Sequence, residues 1–196
     1  MASQTWGTDV RHLILDRDGV LNEEAPGQGY VTRANEWRWI AGSLEALASI
    51  SRAGIRVSIV TNQSGVGRGL MTGQNLDAVH ARMMREVKAA GGQIAALFAC
   101  THPPEARCDC RKPAAGLVAA AIADSGISVA QTLAVGDDER DVEAAHRAGV
   151  AAALVLTGKG RAAARALRGR EVPVFEDLAA LVRALVTDPG GPRGGA

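Results

Sequence analysis

Two carboxylates separated by one residue follow a short apolar segment near the start of the chain. Residues 10–15 are rich in β-formers, and Asp16-Arg17-Asp18-Gly19 comes directly after them. Two carboxylates held this close together repel each other, and a divalent cation would offset that repulsion. Taken alone, the motif also fits a polar loop that ends in a turn glycine.

Three more polar motifs accompany the first. Thr61-Asn62-Gln63-Ser64-Gly65 offers a hydroxyl and backbone N–H groups to an oxyanion. Lys112 precedes Pro113, which predicts the beginning of a helix whose N-terminus favours an anion. Gly136-Asp137-Asp138 follows another apolar segment, with Asp141 one helical turn further on. Phosphoryl transfer through an aspartyl intermediate needs a carboxylate nucleophile, metal-binding carboxylates, and groups that hold the phosphoryl oxygens.

The elements that must position these motifs are short buried strands alternating with amphipathic helices. The apolar segments predict strands, each buried on both faces, over 10–15, 55–60, 94–99, 132–135 and 151–156, with a sixth around 172–175. Helical periodicity predicts helices over 44–50, 76–87, 117–122, 139–148 and 178–185. This alternation predicts an α/β fold, with a mostly parallel sheet, helices on both faces, and functional groups at the carboxyl ends of the strands.

A second group of residues has the composition of a metal site. All three cysteines of the chain lie within eleven residues, together with one histidine: Cys100, His102, Cys108 and Cys110. Clustering of an odd number of cysteines favours metal ligation over disulfides. Three thiolates and one imidazole fit a closed tetrahedral Zn²⁺ site, which predicts a structural zinc in the loop that leads to Arg111 and Lys112.

Composition limits the partners and the setting of the protein. The chain has 196 residues and a net charge of +1, so we expect one domain and no nucleic-acid partner. No apolar segment reaches the length of a membrane span, and residues 1–9 do not resemble a signal peptide. The sequence therefore predicts a cytoplasmic monomer without a membrane partner. We expect one domain over 1–186 and a disordered Pro/Gly-rich tail over 187–196.

The four polar motifs, in this order and after these strands, resemble those of the haloacid dehalogenase (HAD) superfamily of phosphatases. The resemblance extends over residues 14–158 and implies a Rossmannoid fold. It implies that Asp16 is the nucleophile and that Asp18 is the general acid–base. Thr61 and Lys112 would hold the phosphoryl oxygens.

The same resemblance implies the metal ligands of the catalytic site. Mg²⁺ would be bound by Asp16, by Asp137 and by the backbone carbonyl of Asp18, with Asp141 supporting these ligands. Residues 21–40 would form only a small flap, consisting of a loop and a small hairpin, where larger relatives insert a cap domain.

The cysteine motif and the CRKP sequence that follows it narrow the resemblance. They are similar to the branch that contains histidinol-phosphate phosphatases and D-glycero-D-manno-heptose 1,7-bisphosphate 7-phosphatases, and the motif order is closest to the heptose enzymes. In that family, the positions that contact substrate match Gln28, Gly29, Tyr30, Asn62, Gln63, Ser64 and Arg111. Arg111 would bind the distal phosphate of the substrate, because a guanidinium fork fits such oxygens.

One position departs from the heptose branch. Its members often carry Lys directly after the last metal-binding Asp, whereas this chain has Asp138 there. A carboxylate facing the substrate at that position would repel a phosphate. Hydrolysis of histidinol phosphate or of another sugar phosphate is therefore an alternative, and a catalytically dead binding protein of the same fold is a second one. The intact catalytic motifs argue against the dead protein.

Histidines outside these motifs are predicted to be structural or on the surface. They are His12, His80 and His146. Trp37 and Trp39 alternate within the flap, so we expect them to pack on one side of it rather than to stack on a substrate.

Overall fold

A computed structural model describes residues 9–25 and 29–187. Its six strands form one sheet in the order β3-β2-β1-β4-β5-β6. The strands are β1 (His12–Leu15), β2 (Arg56–Asn62), β3 (Ala96–Cys100), β4 (Thr132–Gly136), β5 (Ala151–Val155) and β6 (Val174–Phe175). Every adjacent pair is parallel. The predicted α/β class with a parallel sheet is confirmed.

Helices connect the strands and cover both faces of the sheet. They are α1 (Ser43–Arg52), α2 (Gly73–Ala89), α3 (Gly116–Ser125), α4 (Glu139–Arg147), α5 (Gly160–Ala166) and α6 (Leu178–Thr187). Short 3₁₀ turns occur at Ala34–Glu36, Pro104–Ala106 and Val129–Gln131. Local chemistry fixes several ends: the Thr72 side chain accepts a hydrogen bond from the Asn75 N–H at the start of α2, and Gly126 ends α3 with a φ of 66°.

The alternation of side chains along β1 divides the core into two layers. Leu13 and Leu15 belong to a buried cluster with residues of α1, α2 and α6. Ile14 belongs to the opposite cluster, with residues of α3, α4 and α5. Since successive strand residues point to opposite faces, one short apolar strand anchors both helical layers.

Strand β1 lies at the point where the strand order reverses. It pairs with β2 on one side and with β4 on the other, through Leu15–Ile59 and Leu15–Val135 among other pairs. Connections on the two sides run in opposite directions, so a crevice opens at the carboxyl ends of these strands. Asp16 and Asp137 directly follow β1 and β4, and Thr61 is the second-last residue of β2.

Two details of the predicted elements are wrong. Strand β3 is only half-buried over most of its length, because it lies at the edge of the sheet. Helix α3 begins at Gly116 rather than after Lys112, because the preceding residues form a turn in which the Ala114 N–H donates to the Arg111 carbonyl. The Gly116 N–H donates to the Asp109 carbonyl oxygen at 3.0 Å. A Cβ added at Gly116 would lie only 2.4 Å from that oxygen, so this close approach requires glycine.

The flap contains one antiparallel bridge, Asn22–Trp39, and a 3₁₀ turn instead of a regular hairpin. Trp37 is fully buried and packs edge to face on Trp39, with ring centroids 5.0 Å apart. The two tryptophans therefore pack within the protein, as expected from the sequence. Gln28, which the resemblance predicts to contact substrate, lies outside the described residues. So does the predicted tail, except for Thr187, which ends α6. Among the described helices, none is long and apolar enough to cross a bilayer.

Candidate active site

Three carboxylates converge at the crevice between β1 and β4. Asp16, Asp137 and Asp141 each present an oxygen, and these atoms lie within 4.8 Å of one another. Asp137 is closely packed against two glycines, since a Cβ added at Gly19 or Gly158 would lie 2.0 or 2.1 Å from its Oδ2. The Lys159 backbone N–H donates to the same oxygen at 2.7 Å. Backbone conformation and glycine placement thus fix this carboxylate.

Lys112 brings a buried positive charge into the carboxylate cluster. Its Nζ lies 2.8 Å from Asp16 Oδ1 and 2.6 Å from Asp141 Oδ1, and it donates to the Val60 carbonyl at 3.1 Å. Burial disfavours the ammonium, but the Asp141 and Asp16 carboxylates outweigh it and raise the pKa of Lys112. The lysine therefore remains charged beside the predicted nucleophile.

One ammonium does not neutralise three buried carboxylates. Burial raises the pKa of Asp16 to about 7, although the Lys112 charge opposes this increase. Burial, followed by the charges of Asp16 and Asp141, raises the pKa of Asp137 to about 8. Ionising these groups at neutral pH is therefore costly without a cation. The all-oxygen donor set fits a hard divalent cation such as Mg²⁺.

Asp18 lies in a different environment from Asp16. Its Oδ1 accepts from Arg17 at 2.9 Å and from Asn22 at 2.8 Å, and its Oδ2 accepts from Gln63 at 2.6 Å. Burial disfavours the carboxylate, but Arg17 and these hydrogen bonds outweigh it and lower the pKa of Asp18. The Asp18 side chain is not part of the acidic cluster. The resemblance likewise implies that Asp18 would bind Mg²⁺ through its backbone carbonyl and not through its carboxylate. The two carboxyls of the motif therefore have opposite pKa shifts, and Asp16 is the harder one to ionise.

Only part of the motif at the end of β2 lines the cavity, and the rest is buried behind it. Thr61 is buried at the cavity wall, and its Oγ1 accepts from the Gln63 amide at 2.9 Å. Asn62 holds the Lys112 backbone, donating to its carbonyl and accepting from its N–H, both at 3.0 Å. Gln63 and Ser64 are fully buried, and the Ser64 hydroxyl lies 2.9 Å from that of Tyr30. Their side chains support the residues that line the cavity.

A cavity of about 360 Å³ connects these groups. Ten residues predicted from the sequence line it: Asp16, Asp18, Gly29, Tyr30, Thr61, Asn62, Arg111, Lys112, Asp137 and Asp138. Asp141, expected to support the Mg²⁺ ligands, lines it as well. Four further lining residues are not among the site residues predicted from the sequence: Glu24, Arg68, Arg140 and Lys159.

Asp138 is engaged by the protein rather than directed freely into the cavity. It caps α4 by accepting from the Arg140 N–H at 3.0 Å, and it forms an ion pair with the Arg140 side chain at 2.7 Å. Burial opposes ionisation, but these Arg140 contacts lower the pKa of Asp138 to about 2. The expected repulsion of a phosphate is therefore offset by the adjacent guanidinium. Asp138 also completes a capping box with Asp141.

The rim of the cavity is cationic. Lys159 pairs with Glu24 at 2.5 Å, and Arg68 donates to the Tyr30 hydroxyl at 3.4 Å. The Nη1 atom of Arg111 is buried, and no described group forms a hydrogen bond with it. A buried guanidinium N–H without a partner is costly, which indicates that a ligand oxygen belongs beside Arg111.

The four predicted zinc ligands converge in the loop after β3. The sulfur of Cys110 lies 3.2 Å from that of Cys100 and 3.3 Å from that of Cys108. His102 Nδ1 lies 3.2 Å from the Cys110 sulfur. These separations exclude disulfide bonds, so none of the three cysteines is paired in one. The cluster fits a tetrahedral zinc ion, and with four protein ligands it fits a closed structural site.

Comparison with known proteins shows which family the chain belongs to. The HAD-hydrolase-like family model matches residues 109–181. A D-glycero-beta-D-manno-heptose-1,7-bisphosphate 7-phosphatase from Neisseria meningitidis is 38% identical, covering 94% of this chain and 99% of the relative. The enzyme of that name from Pseudomonas putida is 40% identical, covering 90% of this chain and all of the relative (100%).

A solved structure extends the similarity to the fold of most of the chain. The crystal structure of D,D-heptose 1,7-bisphosphate phosphatase from B. bronchiseptica, complexed with magnesium and phosphate, has a TM-score of 0.84 and 40% identity. The match covers 90% of this chain and 98% of that one. The chain therefore belongs to the D-glycero-D-manno-heptose-1,7-bisphosphate 7-phosphatase family of the HAD superfamily, and it is a phosphatase.

Proposed function

We propose that the protein hydrolyses the 7-phosphate of a D-glycero-D-manno-heptose 1,7-bisphosphate through an aspartyl-phosphate intermediate. One observation carries the proposal: a single cavity joins an acidic cluster and a buried lysine to a cationic rim. This rim includes Arg111, whose buried Nη1 has no hydrogen-bond partner among the described residues. The inner end suits the phosphoryl group that is transferred, and the rim suits a second phosphate. The names of the relatives support the choice of sugar.

In the first step, an oxygen of Asp16 attacks phosphorus in line with the scissile bond. The bond from phosphorus to the sugar oxygen breaks, and the protonated form of Asp18 donates its proton to that oxygen, although Arg17 favours the carboxylate form. Lys112 and Thr61 hold the phosphoryl oxygens during the transfer. In the second step, water attacks phosphorus as Asp18 removes its proton, and the bond to Asp16 breaks.

Mg²⁺ held by Asp16, Asp137 and the Asp18 carbonyl would neutralise charge on the phosphoryl oxygens. The residues of the chain supply the remaining positioning. Lys112 bridges Asp16 and Asp141 and thereby fixes the nucleophile. Charged donors that are already in place lower the barrier because they need little reorganisation during the reaction.

Substrate selection is assigned to the rim and the flap. Arg111 would donate to the distal phosphate, with Gln28, Gly29 and Tyr30 contacting the sugar from the flap. Asn62, Gln63 and Ser64 would position this wall, and Asp138 would act on the substrate through its pair with Arg140. We infer one domain over 1–186, with the flap at 21–40 and the zinc loop at 100–110, acting as a monomer in the cytoplasm on a small metabolite.

A substrate comparison tests the proposal. The purified protein with Mg²⁺ would be assayed with both anomers of the heptose 1,7-bisphosphate, with histidinol phosphate and with p-nitrophenyl phosphate. We expect a kcat/KM at least about tenfold higher for a heptose bisphosphate, as one charge-assisted contact to the distal phosphate allows. A higher value for histidinol phosphate would reject the assigned substrate. Absence of turnover on all four would favour the binding-protein alternative.

A further inference from the structure

A chain of side-chain contacts extends from Asp18 to helix α2, away from the acidic cluster. Arg17, whose side chain is fully buried, donates through Nη2 to both Asp18 oxygens at 2.9 and 3.0 Å. Its Nη1 lies 3.0 Å from Nε2 of His80, which is 63 residues further along the sequence. Trp37 lies against the guanidinium, with its ring centroid 5.8 Å from Cζ. Arg17 is thus held between the flap, α2 and Asp18.

The chemistry of arginine determines the role of His80 in this contact. A guanidinium has donors only, so Nε2 of His80 is the acceptor and the ring proton lies on Nδ1. Arg17 satisfies its Nε and Nη2 on Asp18, whereas its Nη1 hydrogen bond is to His80. Removing the imidazole would leave a buried, charged N–H without an acceptor, and the guanidinium would shift to regain one.

A shift of Arg17 would reach Asp18 directly. The guanidinium contacts both carboxylate oxygens, while Asn22 and Gln63 contact one each. Among the described contacts, Arg17 is therefore the one that holds both oxygens at once, and it sets the orientation of the carboxylate together with Asn22 and Gln63. Proton transfer to a leaving group depends on this orientation, because the donor must lie within hydrogen-bond distance of the leaving oxygen.

We propose that His80 is a positioning residue for the general acid–base Asp18 and acts on it through Arg17. This inference rests on the role given to Asp18 in the proposed function. It reassigns a histidine that the sequence marks as merely structural or surface-exposed. It also has a specific consequence: loss of His80 should impair those steps in which Asp18 moves a proton, and spare phosphoryl transfer to a leaving group that needs none.

The leaving-group dependence of kcat/KM tests this consequence. An alkyl phosphate needs its leaving oxygen protonated, whereas p-nitrophenyl phosphate releases a stable phenolate. For His80→Leu we expect kcat/KM to fall about ten- to a hundredfold on an alkyl phosphate, the range for one hydrogen bond to a charged group, and less than about threefold on p-nitrophenyl phosphate. His80→Gln should restore most of the loss, because its side-chain carbonyl can accept from Arg17.

Three controls separate positioning from structural damage. His146→Leu makes the same change at an exposed histidine of α4 and should leave both substrates unaffected. If His80→Leu does not fold, His80→Asn replaces it, since that side chain is too short to reach Arg17 but stays polar. Adding His80→Leu to Arg17→Met should cause little further loss if His80 acts through Arg17.

Defined outcomes would overturn the inference. Equal losses on alkyl and aryl phosphates, no loss on either, or no recovery with His80→Gln would each reject it, as would full additivity with Arg17→Met. Asp18→Asn distinguishes this failure from failure of the proposed function. If Asp18→Asn itself lacks the selective loss on alkyl phosphates, the assignment of Asp18 as the acid is wrong.

Discussion

Replacing Arg111 with alanine tests how the cavity selects a bisphosphate. Arg111 lines the cavity beside Lys112, and its buried Nη1 has no hydrogen-bond partner among the described residues. A hydrogen bond from such a charged donor contributes about 1.5–3 kcal/mol, which corresponds to about ten- to a hundredfold in kcat/KM. Because Arg68, Arg140 and Lys159 remain on the rim, we expect weakened rather than abolished binding of the distal phosphate.

The assay compares one substrate that has a distal phosphate with one that lacks it. Under saturating Mg²⁺, Arg111→Ala should lower kcat/KM for the heptose bisphosphate by about ten- to a hundredfold and for p-nitrophenyl phosphate by less than about threefold. Arg107→Ala is the matched control, because Arg107 is exposed on the same loop and does not line the cavity. The zinc content of each variant would be measured to show that the loop is intact.

Comparable losses on the two substrates would refute the reasoning. They would show that Arg111 acts on the transferred phosphoryl group, or that its removal disturbs Lys112. A retained preference for the bisphosphate would place the distal phosphate elsewhere on the rim.

Three further outcomes follow from the site. Asp16→Asn should lower the turnover rate by several powers of ten while the circular dichroism spectrum is retained. Residual activity above about a tenth of the wild-type value would exclude Asp16 as sole nucleophile. Cys108→Ser should lower both zinc content and activity, and elemental analysis that finds no zinc in wild-type protein purified without chelator would contradict the assignment. Burial raises the pKa of Asp16 to about 7 and that of Asp137 to about 8. The folded metal-free protein therefore binds more protons than the unfolded chain between about pH 4 and 8. Its free energy of unfolding should decrease as the pH rises through that range. Mg²⁺ binds the ionised carboxylates, so the increase in Tm that it causes should be larger at about pH 8 than at about pH 6, and an equal or reversed difference would be inconsistent with the shifted pKa values.

The site residues that could be predicted from the sequence are those marked by a short motif of neighbouring residues. Asp16, Thr61 and Asp137 each lie at or beside the end of a short apolar strand, so the strand pattern and the motif identified position and chemistry together. The group of three cysteines and one histidine could be predicted equally well, because its four members lie within eleven residues and their spacing is that of metal ligands. Parallel pairing then brings these strand ends to one edge of the sheet.

The environment of Asp18 could not be predicted in this way. Arg17 in the same motif contacts its carboxylate, together with Asn22 and Gln63. Arg17 is in turn contacted by His80 from α2, and no pattern in the sequence links two residues that are 63 positions apart. Packing alone decides such a contact. For the same reason the start of α3 was misjudged, since the turn after Lys112 depends on the close approach of Gly116 to the Asp109 carbonyl.

Asp138 illustrates a local signal that was available. Asp138 and Asp141 have the three-residue spacing of a capping box, and the structure contains one. That spacing indicates a carboxylate occupied by its own helix, which reduces the charge it presents to a substrate. The Arg140 ion pair completes this neutralisation.

Trapping the covalent intermediate tests the central claim most directly. The enzyme would be mixed with its bisphosphate substrate, quenched within the first turnover and treated with borohydride, which reduces an aspartyl phosphate to homoserine. Peptide mass spectrometry should then find homoserine at position 16 in the wild type, and none at position 18 or in Asp16→Asn. Turnover without modification at position 16, or with the modification at another carboxylate, would contradict hydrolysis through an Asp16 phosphoenzyme.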